Sequence, residues 1–173
     1  MKRLFFMILI AFSAAAQAQQ SKSVTEDTPL VVEGIEYGFA IKNASTKEVG
    51  NKDFSRYEVT FYATNKSYCN RIIFYNQSMS MLESDMKIFA KFDCINATGA
   101  RLTSKSAQVE AKPMWVNARV DTRDDKGKQI TQTQEVQIGY YLGIGETTEQ
   151  NVILIVPLNS KPEVRVRIVN AAL

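Results

Sequence analysis

The sequence predicts an all-β chain folded as a two-sheet antiparallel β-sandwich, immunoglobulin-like, with seven to nine strands. Three observations predict it. Apolar side chains recur with period two along most of the chain, as on strands with one wet face. Turn signals such as Asp124-Asp125-Lys126-Gly127 and Asn159-Ser160-Lys161-Pro162 separate the runs. No long stretch carries the 3.6-residue period of an amphipathic helix, and residues 78–86 offer at most a turn or two.

Residues 1–18 precede the fold. Met1-Lys2-Arg3 gives a positive start, residues 4–12 (LFFMILIAF) an uncharged apolar stretch, and Ala16-Gln17-Ala18 a small-x-small pattern. That order predicts an export signal peptide cleaved between Ala18 and Gln19. The apolar stretch falls short of the ~20 residues a spanning helix needs. The longest later run, residues 152–156, ends at Pro157, and no cysteine near the cleavage point offers a lipid anchor. The expectation is a mature chain without a membrane span, periplasmic or secreted.

Residues 19–30 are polar and expected to remain a flexible leader, because they bury too little surface to offset their ordering entropy. Residues 31–173 are then a single domain. Ile35, Tyr37, Phe39 and Ile41 face inward from its first clear strand, and Tyr57, Val59, Phe61 and Ala63 from the next. Residues 71–75 form a short aromatic and β-branched strand, and residues 86–95 point Ile88, Ala90, Phe92 and Cys94 inward. Residues 101–109 read as a weaker strand. Residues 114–120 and 130–142 flank a hairpin that Gly127 closes by turning left-handed. Residues 152–156 (VILIV) are apolar on both faces, as a central strand is, and Pro157 stops them by removing a ladder donor. The last strand puts Val164, Val166 and Ile168 inside and Glu163, Arg165 and Arg167 outside.

Residues 140–147 (YYLGIGET), followed by VILIVP, resemble the strand, Gly-Glu-Thr turn and strand of bacterial exported immunoglobulin-like and fibronectin-III-like domains. The resemblance spans about thirty residues and implies a sandwich used for binding or spacing. The chain departs from that pattern in two ways. It exceeds the ~100 residues of such a domain, and Trp115 follows both cysteines instead of lying between them.

Composition narrows the chemistry. Removing eighteen of the 173 residues takes Lys2 and Arg3 away, leaving 19 basic and 18 acidic residues and a formal charge of +1. The signs are interspersed, so there is no basic footprint for nucleic acid. Cys69 and Cys94 are an even pair in an exported chain and are expected to form a disulfide. The chain has no histidine, which removes Ser-His-Asp and Cys-His activation, His-ligated metals and the usual general base near neutral pH.

Several residue groups remain to be placed. Ser84 and Lys87 match a Ser-x-x-Lys pattern, but its companion motifs are missing. Asp121, Asp124 and Asp125 do not have calcium-loop spacing and read as a solvated turn. Met79, Met81, Met86 and Met114 offer thioethers of the kind that bind copper(I), or adaptable packing. Asn43, Asn65, Asn76 and Asn96 stand in Asn-x-Ser/Thr sequons that are incidental in a bacterial chain. Tyr62, Tyr75, Phe89, Trp115 and Tyr141 are the aromatics from which a stacking face would be built, core packing being the competing assignment. The expectation is a non-enzymatic binding or structural interaction module of the cell envelope with a protein or glycan partner and no cofactor. The alternative is a periplasmic copper(I)-handling protein using the methionines.

Overall fold

Alternation along the strands decides what is buried. The computed structural model describes residues 21–74, 86–96, 98–103 and 106–169. Its elements are β1 (Ser21–Val24), β2 (Leu30–Val32), β3 (Ile35–Val49), β4 (Lys52–Asn65), β5 (Arg71–Phe74), β6 (Ile88–Ile95), β7 (Ala107–Glu110), β8 (Lys112–Arg123), β9 (Gln129–Leu142), β10 (Thr147–Pro157) and β11 (Glu163–Ile168). They form three antiparallel sheets with orders β1-β11-β6-β7, β10-β4-β3-β2 and β5-β9-β8. The export signal and the Ala18/Gln19 cleavage point lie outside the described residues. No helix among the described residues is long and apolar enough to cross a membrane.

The first two sheets meet through the period-two residues. Phe61 on β4 lies 5.0 Å, ring to ring, from Phe92 on β6, and Phe39 lies 6.1 Å from Phe61. Ile35, Tyr37, Val59 and Ala63 from one sheet, with Ala90, Cys94, Val164 and Val166 from the other, complete a shared core. Burying a Phe or Val side chain is worth roughly 1.5–3 kcal/mol, so this interface dominates the fold. The arrangement is consistent with a β-sandwich. The all-β expectation holds, with eleven described strands in place of seven to nine and a third sheet beside the two that were expected.

The third sheet is mostly the β8–β9 hairpin, closed where Gly127 takes φ +77°. Asp124 Oδ1 accepts the Lys126 and Lys128 N–H groups at 2.9 and 2.8 Å, which explains the Asp cluster as turn chemistry. A second hairpin, between β3 and β4, escaped the sequence reading. Gly50 and Asn51 both have positive φ, +56° and +59°, the two-residue geometry whose twist matches the flanking strands.

Five expectations are corrected. The described part of the expected flexible leader, residues 21–30, is ordered into the fold: Ser21–Val24 pairs with β11, Val24 opposite Val164, and buries Val24. Glu26 Oε1 also takes the Ile41 N–H at 2.8 Å. Of the expected weak strand at residues 101–109, the described part forms an isolated bridge from Arg101 to Ile95 and then β7 from Ala107, and the Arg101 side chain pairs with Asp93 at 3.0 Å. The VILIV strand is not central. It is the edge of its sheet, with Leu154 and Val156 buried and Ile153 and Ile155 exposed. The last strand has the expected parity at Val164 and Val166, but Arg165 and Arg167 are half-buried beside Asp93 of the neighbouring strand.

The fifth correction concerns the cysteines. Both are free thiols: Cys69 is exposed in the β4–β5 loop and Cys94 is buried in β6, in a different sheet. Burial pushes the Cys94 thiol up to about 12. Since the thiolate is the reactive form, a thiol reagent should titrate one cysteine in the native protein and two after denaturation. No reaction in denaturant would restore the bridge.

Candidate functional site

The third sheet owes its shape to a glycine and a bulge. A Cβ at Gly139 would overlap the Ile73 carbonyl oxygen, so only glycine lets β5 lie against β9 there. That contact sets Ile72 opposite Tyr141, and β8 sets Lys112 opposite Tyr141 on the other side. The β8–β9 register slips between Met114 and Trp115, where Met114 faces Gly139 and Trp115 faces Gln137. Such a bulge re-aims side chains locally. The result is an open groove of ≈ 400 Å³ lined by Asn70, Ile72, Pro113, Met114, Trp115 and Tyr141.

Trp115 is 51 % exposed in this groove, while Ile72, Met114 and Tyr141 are half-buried. At one end Lys112 Nζ is paired with Glu146 Oε1, and Glu146 Oε2 accepts the Gly143 N–H at 2.8 Å. The Lys112 ammonium, then the Gly143 N–H, hold the Glu146 carboxyl below its ordinary value, and Glu146 raises Lys112 in return. Glu146 therefore adds stability above its unfolded-state value, and loses it as pH falls through the lower folded one. Asn70 Oδ1 accepts the Ile144 N–H at 3.1 Å, anchoring the same loop.

Behind the groove a single buried side chain ties four segments together. Asn65, at the end of β4, donates through Nδ2 to the carbonyls of Cys69 at 2.9 Å and Leu142 at 3.0 Å. Its Oδ1 accepts from Ser67 N at 3.0 Å and Ser67 Oγ at 2.6 Å. Its backbone exchanges 2.9 Å bonds with Glu146 and Gly145. All donors and acceptors of this amide are occupied, so the sequon at Asn65 is structural.

No family model matches the chain, and neither a curated protein nor a solved structure matches it. The site therefore rests on its own geometry. It offers an indole face, an adjoining tyrosine, thioether and aliphatic walls, and amide and ammonium donors at the rim. That set suits contact with a ring or an apolar side chain.

The structure brings Trp115, Tyr141 and Met114 together and separates the other expected residues. Phe89 is fully buried in the core. Tyr62 lies over Gly38 on the neighbouring strand, so its ring covers backbone. Met86 is buried in the core. Tyr75, Met79, Met81, Ser84 and Asn76 lie outside the described residues. Lys87 pairs with Glu110 at 2.9 Å. Asp121 accepts the Thr131 hydroxyl at 2.7 Å. Among the described residues no group of three or more Cys, Asp or Glu could hold a metal ion. Sequence reasoning missed Asn70, Lys112 and Glu146, whose roles depend on cross-strand pairing, and Asn65, whose Asn-x-Ser spacing also signals a local side-chain turn.

Proposed function

We propose that the chain is an exported, non-enzymatic module of the bacterial cell envelope. It has an immunoglobulin-like β-sandwich and holds a protein or glycan partner in the groove at Trp115 and Tyr141. The observation that carries this reading is the half-exposed Trp115, set by a β-bulge beside Tyr141 over an open groove. Leaving an indole half in water forgoes burial energy, and tryptophans in grooves are typical anchors for partners. Support comes also from the missing histidine and from the likeness of residues 140–157 to exported binding domains.

A photo-crosslinking residue at position 115 tests the reading in exporting cells. Adducts are expected from that position and not from position 133, exposed on β9 in the outer part of the β8–β9 hairpin. Protease or glycosidase sensitivity then tells a protein partner from a glycan. Equal labelling from both positions, or none from 115, would remove the groove from the account.

A further inference from the structure

The edges of the three sheets are not protected alike. A free strand edge presents unpaired N–H and C=O groups to any other strand, and proteins usually blunt it with charges, prolines or short length. Edge strand β8 carries Lys112, Pro113, Arg119 and Asp121, and the outer half of β3 carries Lys42 and Lys47. Strands β1, β2, β5 and β7 are four residues long or fewer.

Strand β10 has none of these devices between residues 151 and 156, and Pro157 ends it. It pairs with β4 on one side and with no described strand on the other. Strand β7 reaches only its first part, through Thr148 Oγ1 to Glu110 O and Gln108 N to Gln150 Oε1, both 2.6 Å. Beyond that, residues 151–156 (NVILIV) hold no charge, and Ile153 and Ile155 are 56 % and 40 % exposed on the outer face.

We infer that β10 is an interface for a second copy of this chain, the two β10 strands pairing antiparallel about a two-fold axis at Leu154. The edge is complementary to itself in this register. Ile153 of one copy faces Ile155 of the other on the outer side, and Val152 faces Val156 on the inner side, so β-branched pairs meet and no like charges oppose. Pairing joins the two four-stranded sheets into one of eight strands and withdraws the unprotected edge from water. A foreign strand would gain the same backbone bonds but not this side-chain match.

Light scattering on the exported chain tests the inference. The expected mass is twice that of the chain, falling to that of one chain in the double variant Ile153→Lys and Ile155→Lys, which sets lysines against lysines across the axis. Both side chains are exposed, so the variant's melting temperature, measured below the dimer's dissociation concentration, should match the parent's; Ile153→Thr with Ile155→Thr serves if lysine disturbs folding. For the register, Ile153→Cys and Ile155→Cys chains in a Cys69→Ser background are mixed and oxidised. Directly opposed strand residues lie within disulfide reach, so the mixture should crosslink far more than either chain alone. A monomer at every concentration, a dimer that survives the charged variant, or equal crosslinking in all three samples would overturn the proposal.

Discussion

Val166→Asp is expected to unfold the chain or cost it about 4 kcal/mol or more, the range reached when an unpaired charge is buried. Val166 is fully buried on β11 between Lys22 of β1 and Phe92 of β6. Its side chain belongs to the shared apolar core, where a carboxylate would be stripped of water. Arg165, one residue earlier, projects from the opposite face beside Asp93. Arg165→Gln should cost less than about 1 kcal/mol, as for a partly exposed side chain outside the core. Thermal melts of the two variants check the parity. Comparable losses would mean that β11 does not separate a dry face from a wetter one.

The second large effect is expected at Asn65. Replacing it with alanine deletes four side-chain hydrogen bonds and leaves the Leu142 carbonyl and the Ser67 N–H without the partner they have now. At ~1–3 kcal/mol for each buried group left unsatisfied, the loss should reach about 3 kcal/mol or more. Because Asn65 joins the end of β4 to the loops beside β9 and β10, the groove should loosen with it. Asn65→Asp should be no milder, since a carboxylate cannot donate to two carbonyls. Urea midpoints of the two variants measure the effect. A change below about 0.5 kcal/mol, the level of an ordinary surface substitution, would show that the amide ties nothing together.

These two sites mark what the sequence disclosed and what it withheld. The inward rows Ile35, Tyr37, Phe39 and Val164, Val166 were legible because period-two burial is written directly in residue order. The VILIV run was misread as central because an unbroken apolar stretch carries no parity, and only the sheet order shows which isoleucines face water. The leader was misread because β1 has a single inward apolar residue, Val24, and gets its ladder from β11, some 140 residues later in the chain. Cys94 was rightly turned inward, yet the position of Cys69 depends on a loop that Asn65 folds back. For the groove, Trp115 and Tyr141 could be named as exposed aromatics. Their meeting could not, because it depends on the bulge at Met114/Trp115 and on the space at Gly139.

Trp115 is the only tryptophan in the chain, so its emission reports on the groove and on nothing else. The most direct test of the account is to titrate the purified chain with solubilised envelope polymer and envelope protein fractions while recording that emission. A partner that covers the half-exposed indole should move it to shorter wavelength along a saturable curve, and Tyr141→Ala should weaken the response. Emission unchanged by every fraction, or a shift that Tyr141→Ala leaves intact, would contradict the assignment of this groove as the binding site.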